Sequence, residues 1–104
     1  MMYASVMQLH AGQEAEYQAR HDALWPELAE HLKDCGIRNY RIFLHPDTLQ
    51  LFAHFETDQP LNQDKLRQHP VMQRWWDHMA DIMDTTDSSS EPAAVPLRDV
   101  FYLP

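Results

Sequence analysis

Hydrophobic positions along this chain recur with two periods. Met2 to Leu9 is a mostly apolar run with β-branched and aromatic members, closed by Ala11-Gly12, and it predicts a first strand followed by a turn. Neither of its faces alternates cleanly to polar, so both are expected to be covered. From Glu14 the period becomes helical: Tyr17, His21, Leu24, Leu28, Leu32 and Cys35 share a face, with Gly36 as a left-handed C-cap. Pro26 interrupts this stretch. It has no N–H for the carbonyl of Asp22, so the helix must kink or restart there, one turn from His21.

Ile37–Leu44 and Leu49–Thr57 predict two strands joined by the turn His45-Pro46-Asp47-Thr48. Tyr40, Ile42 and Leu44 share a face of the first. In the second, Leu49, Leu51, Ala53 and Phe55 share one face, while Gln50, Phe52, His54 and Glu56 share the other. That mixed polar and aromatic face suits an interface between two sheets. Gln59-Pro60 opens a segment anchored only by Leu61 and Leu66, which His69-Pro70 ends. Val71–Met83 predicts a second strong helix, with Met72, Trp76, Met79 and Met83 on one stripe and Val71, Trp75 and Ile82 beside it. Adjacent tryptophans on a helix splay about 100° apart, so one of the pair is expected to wall a groove at the edge of the core. Asp84–Pro96 is rich in Ser, Thr, Asp and Pro and predicts an exposed loop; Leu97–Leu103 then predicts a last strand, which so long a loop would allow to exchange between subunits.

The order strand, helix, strand, strand, helix, strand is the split βαβ, ferredoxin-like arrangement of the α+β class. Its helices cover one sheet face only. Apolar residues on both faces therefore predict that two copies pack sheet against sheet, giving a homodimer of the dimeric α/β-barrel kind.

Composition narrows the function. At 104 residues and 44% hydrophobic, residues 1–104 are expected to form one domain with one core. Eight basic against sixteen acidic residues, a formal charge of −8, argue against nucleic acid and against an anionic membrane surface. The N-terminus lacks a basic n-region and an apolar h-region, and no run approaches the roughly 18 apolar residues of a membrane span, so a soluble cytoplasmic protein is expected. The lone Cys35 excludes an internal disulfide framework and reads as a small packed hydrophobe.

Gly12 and Gly36 are the only glycines and neither belongs to a phosphate cradle. Seven histidines include no HExxH spacing, and one cysteine gives no CxxC, so no metal is expected. What remains is a pocket of His21 and Tyr17 from the first helix, Tyr40 from the second strand, and Trp75 and Trp76 from the second helix. A core-facing imidazole such as that of His21 must find a hydrogen-bond partner inside the fold or meet a ligand. Aromatic rings stack on the C–H face of a pyranose, and phenol and imidazole exchange hydrogen bonds with its hydroxyls and can move protons. The same aromatic pocket would also suit a flat hydrophobic ligand, as in a cofactor-independent monooxygenase or a haem-binding relative, or a non-catalytic sugar sensor.

The blocks Arg20-His21 with Trp25-Pro26-Glu27-Leu28, Asn39-Tyr40, Gln73-Arg74-Trp75-Trp76 with Met79 and Asp81, and Val100-Phe101-Tyr102-Leu103-Pro104 resemble the L-rhamnose mutarotase family, in order and over nearly the whole chain. The resemblance implies a dimeric ferredoxin-like protein that interconverts the α and β anomers of L-rhamnose with neither metal nor organic cofactor. It implies His21 as proton donor, with Tyr17, Tyr40, Trp75 and Trp76 contacting the sugar. On that basis His21 is expected to be the acid at the ring oxygen, complemented by a tyrosine, Glu56 or water.

Overall fold

A computed structural model describes all of residues 1–104. Its elements run β1 (Met2–Gln8), α1 (Glu14–Asp22), α2 (Pro26–Asp34), β2 (Arg38–Leu44), β3 (Gln50–Glu56), α3 (Gln63–Gln68), α4 (Pro70–Met79) and β4 (Val95–Pro96). The sheet is antiparallel in the order β2-β3-β1-β4, so β3 separates β1 from β2 as a split βαβ unit requires. This is the ferredoxin-like α+β architecture that the element order predicted.

Pro26 acts as predicted. It takes the first position of α2, where its missing N–H is no loss, and Trp25 in extended conformation is the N-cap. The expected continuous face is thus carried by two helices rather than one. Gly36, at φ +84°, closes the far end. The segment after Gln59, for which only two anchors were legible, forms the short α3.

The second strong helix starts one residue early and stops four residues short of Met83. His69 caps it, its Nδ1 accepting from the Val71 N–H at 3.0 Å. Beyond Met79 the backbone leaves the helix to bind the residues that follow β1, with His10 N–H donating to the Ile82 carbonyl and Met83 bridging to Leu9. Sheet pairing overrides helical periodicity here, while Ile82 and Met83 stay buried as predicted.

The C-terminal strand needs correction. Pairing with β1 covers only Val95 and Pro96, opposite Val6 and Ser5, and one further bond runs from Leu97 N–H to the Ala4 carbonyl. Residues 98–104 form no strand, and Val100, Phe101, Tyr102 and Leu103 are 68–80% exposed. Without a second strand to pair with, their apolar side chains find no burial in one chain. The preceding loop folds back on itself, Thr85 bridging to Pro92 and Ala93 N–H donating to the Asp84 carbonyl.

The core lies between the sheet and the helices. Leu9, Leu28, Leu51, Val71 and Met79 are at most 2% exposed, each stabilising the fold by about 1.5–3 kcal/mol. His31 is buried among them and satisfied, its Nε2 donating to the Leu66 carbonyl at 2.9 Å. The opposite sheet face is open, and the register sets Val6, Phe52 and Phe43 in one row across it, with Phe43 54% exposed.

Candidate active site

Between the sheet and helices α1, α2 and α4 lies a cavity of about 590 Å³, 16 of whose 21 lining residues are hydrophobic. All five residues expected from the sequence line it: Tyr17, His21, Tyr40, Trp75 and Trp76. Three elements bring them together. On α1, Tyr17 and His21 are one turn apart, with rings stacked at 4.3 Å between centroids. From α4, Trp75 is buried and meets the imidazole edge-on at 5.4 Å, while half-buried Trp76 lies farther round the wall. Trp25 supports this wall from behind, edge-on to Trp75 at 5.2 Å, and does not line the cavity.

Tyr40 arrives through a backbone irregularity. Arg38 pairs with Glu56 and Arg41 with His54, so Asn39 and Tyr40 together stand opposite Phe55, which is a β-bulge. Asn39 takes φ +50°, a left-handed conformation that asparagine tolerates, and its Nδ2 donates to Glu56 Oε2 at 2.6 Å. The bulge sets the Tyr40 ring on the helix side of the sheet, 5.4 Å from Phe55. Strained backbone of this kind persists where a side chain must be aimed.

Electrostatics define the protonation states. His21 Nδ1 lies 2.9 Å from the Tyr17 carbonyl oxygen, which only accepts, so Nδ1 carries the hydrogen. Burial lowers the His21 pKa below the usual 6.5, outweighing the opposing effects of that bond and of the Asp22 charge. At neutral pH the imidazole is therefore neutral, with Nε2 bare. Burial raises the Tyr17 pKa, with Tyr40 adding to the effect; Tyr40, though 43% exposed as a residue, is raised as well by desolvation from the surrounding protein. Both remain phenols throughout the neutral range.

Glu56, one of the three expected complements to His21, is not among the lining residues; the pleat turns it to the open face, toward Asn39 and Arg38. The lining polar groups that sequence reasoning missed are Glu14, Gln18 and Asp22 on α1. Their signal was present, since Glu14, Tyr17, Gln18 and His21 recur at i, i+3, i+4 and i+7. Pro92, from the Ser-rich loop, also lines the wall, with no such signal.

Arg20, beside the histidine, locks α1 to the end of α4. Its guanidinium donates to the His78 carbonyl at 2.6 Å, to both Asp81 oxygens and, through Nε, to Glu16 at 2.8 Å. The Arg20 hydrogen bond holds the Asp81 carboxyl below its usual pKa. The two ion pairs face solvent and contribute little, but the bond to the His78 carbonyl fixes the helix end that carries Trp75. Arg20→Met is expected to lower Tm by roughly 4–8 °C, the effect of about 1 kcal/mol in a domain of this size. A thermal melt unchanged within 1 °C would remove that role.

Fold and cavity together define a ferredoxin-like α+β protein with an aromatic-lined cavity between its sheet and helices. Comparison with known proteins gives the family. The profile described as L-rhamnose mutarotase matches residues 2–103. A relative of that name from Rhizobium meliloti strain 1021 is 50% identical over 101 residues, covering 97% of this chain and 96% of the relative. Another, from Listeria monocytogenes serotype 4b strain F2365, is 46% identical over 100 residues, covering 96% and 95%. The crystal structure of an L-rhamnose mutarotase from Formosa agariphila superimposes with a TM-score of 0.90 at 38% identity, over 100% of this chain and 99% of that one. A Mycobacterium tuberculosis structure with a TM-score of 0.58 and 12% identity shares the fold alone. The chain belongs to the L-rhamnose mutarotase family.

Proposed function

We propose that this chain, acting as one domain, interconverts the α and β anomers of L-rhamnose and so serves rhamnose catabolism. The observation that carries the reading is a neutral imidazole with one nitrogen left uncommitted, on the lining of a cavity that two phenols and two indoles share. Mutarotation needs little more. The ring opens when the anomeric hydroxyl loses a proton and the ring oxygen gains one, and the free aldehyde turns and closes on its other face. His21 is the proton-transfer residue; Tyr17, Tyr40, Trp75 and Trp76 hold the sugar, rings against its C–H face and hydroxyls against its own. No metal or organic cofactor enters this scheme.

NMR exchange spectroscopy on equilibrated L-rhamnose tests the activity. Cross-peaks between the α and β anomeric protons are expected with sub-stoichiometric protein and not in buffer alone. Broadened sugar resonances with exchange at the buffer rate would replace the enzyme by a sugar-binding protein.

The active species is a homodimer closed sheet against sheet, in the cytoplasm. The Val6-Phe52-Phe43 row, half-buried at Val6 and Phe52 and exposed at Phe43, and the uncovered Val100–Leu103 cluster support the dimer; no helix is long and apolar enough to cross a membrane. Exchange of the C-terminal segment would bury those four side chains on the partner. A chain ending after Pro96 is then expected to sediment with about half the native mass at micromolar concentration, and an unchanged dimer would exclude the exchange.

A further inference from the structure

The two proton transfers of mutarotation need not fall to two residues. His21 spends Nδ1–H on the Tyr17 carbonyl, which fixes the tautomer and leaves Nε2 as the only nitrogen able to take a proton. The remaining lining groups with an ionisable O–H are the Tyr17 and Tyr40 hydroxyls, and neither forms a hydrogen bond within the chain, whereas the Tyr3 hydroxyl accepts from the Leu61 N–H. Glu56 lies outside the cavity, and the lining carboxylates, Glu14 and Asp22, sit on solvent-exposed residues at its rim. Resting on the mutarotase reading, we infer that one imidazole performs both transfers through Nε2, and that the Tyr17 and Tyr40 phenols stabilise charge on oxygen without giving up their protons.

The step balances on one proton. Nε2 takes it from the anomeric oxygen O1; an O1 electron pair forms the C1=O1 bond as C1–O5 breaks, its pair passing to the ring oxygen O5. The imidazolium then returns the proton to O5. Both oxygens are bonded to C1 and lie within reach of one nitrogen. After the aldehyde turns about C1–C2, Nε2 takes the O5 proton as O5 adds to the other face of C1, and the imidazolium protonates O1. The protein ends as it began. The phenols, whose pKa values are raised from an already high ordinary value and which therefore stay protonated, donate hydrogen bonds to whichever oxygen is negative. Within each half-reaction His21 is base first and donor second, which contains the donor role that the family resemblance implies.

This scheme separates from a two-residue scheme by its dependence on pH. The kcat/KM for anomer exchange reports groups of the free enzyme. With neutral His21 as the starting form, it is expected to rise with pH through a single limb whose midpoint lies below 6.5, then stay level to about pH 9. The groups facing the imidazole are Tyr17, Trp75 and, by charge, Asp22. The same samples, labelled with ¹⁵N-histidine, are expected to show Nδ1 protonated and Nε2 bare in the resting protein. Tyr17→Phe and Tyr40→Phe should each lose about 10–100-fold in kcat and keep the single limb, whereas His21→Gln loses nearly all turnover. A rate that falls above the imidazole pKa, an Nε2–H tautomer, or a Tyr→Phe loss as deep as that of His21→Gln would each overturn the inference. A wild-type protein silent at every pH would overturn the mutarotase reading itself.

Discussion

His21→Ala is expected to lower kcat by about 10³–10⁴-fold while leaving a folded protein. General acid–base catalysis by one positioned group contributes typically 10²–10⁴-fold, and here one imidazole carries every proton transfer, which sets the expectation at the upper end. The structural cost is smaller. His21 is only half-buried, and its ring contributes a stack on Tyr17 and an edge contact to Trp75, interactions of about 0.5–1.5 kcal/mol each. That is a minor share of the roughly 5–15 kcal/mol of an ordinary domain. Exchange spectroscopy measures the rate, and far-UV circular dichroism with a thermal melt establishes the fold. Added free imidazole, entering the space left by the ring, is expected to restore part of the rate. Turnover within tenfold of wild type in a folded His21→Ala protein would remove His21 from the chemistry.

The fold was legible because its elements obey local rules. The apolar run of β1, the period-two runs of β2 and β3, the proline restart at Pro26 and the glycine cap at Gly36 each depend on residues close in sequence. What was not legible depends on distant partners. The end of α4 is set by Leu9 and His10, just beyond the first strand, so helical periodicity alone runs on to Met83. The segment Leu97–Leu103 has the composition of a strand, but a strand is a pairing, and within one chain only Val95 and Pro96 find one.

The site divides in the same way. Tyr17 and His21 follow from helical spacing, and the tryptophan pair from its sheer bulk on one helix. Tyr40 was placed on the right face by simple alternation, since the additional residue of the bulge precedes it and leaves the register of Tyr40, Ile42 and Leu44 intact. Simple alternation also sets Glu56 on the face opposite Phe55, away from the cavity, and so excludes it as the complement to His21. The arginine clamp was visible only as Arg20 and Asp81 among the resembling blocks; nothing local says that residues 61 positions apart meet at 2.9 Å. Nor does spacing reveal a tautomer, which here needed the direction of one ring nitrogen toward one carbonyl.

Trp75→Ala and Trp76→Ala are expected to fail in different ways, which makes the pair the best probe of where core ends and site begins. Trp75 is 7% exposed and touches His21, Trp25 and His78 as well as the cavity. Its truncation removes a large buried ring and the contacts on both sides of it, a loss of about 3–5 kcal/mol that a domain of 104 residues can barely absorb. The expected result is a sharply lower urea midpoint and low yield, with kcat falling because the wall that orients His21 has gone. Trp76 is half-buried, and the aromatic contact it offers a sugar is worth about 0.5–1.5 kcal/mol. Its truncation should raise KM by roughly 3–10-fold with the melt little changed. Equal destabilisation by the two substitutions would mean that both rings serve packing. A Trp75→Ala protein as stable as wild type, with only KM altered, would mean that the cavity wall is built on the sheet side and that α4 merely covers it.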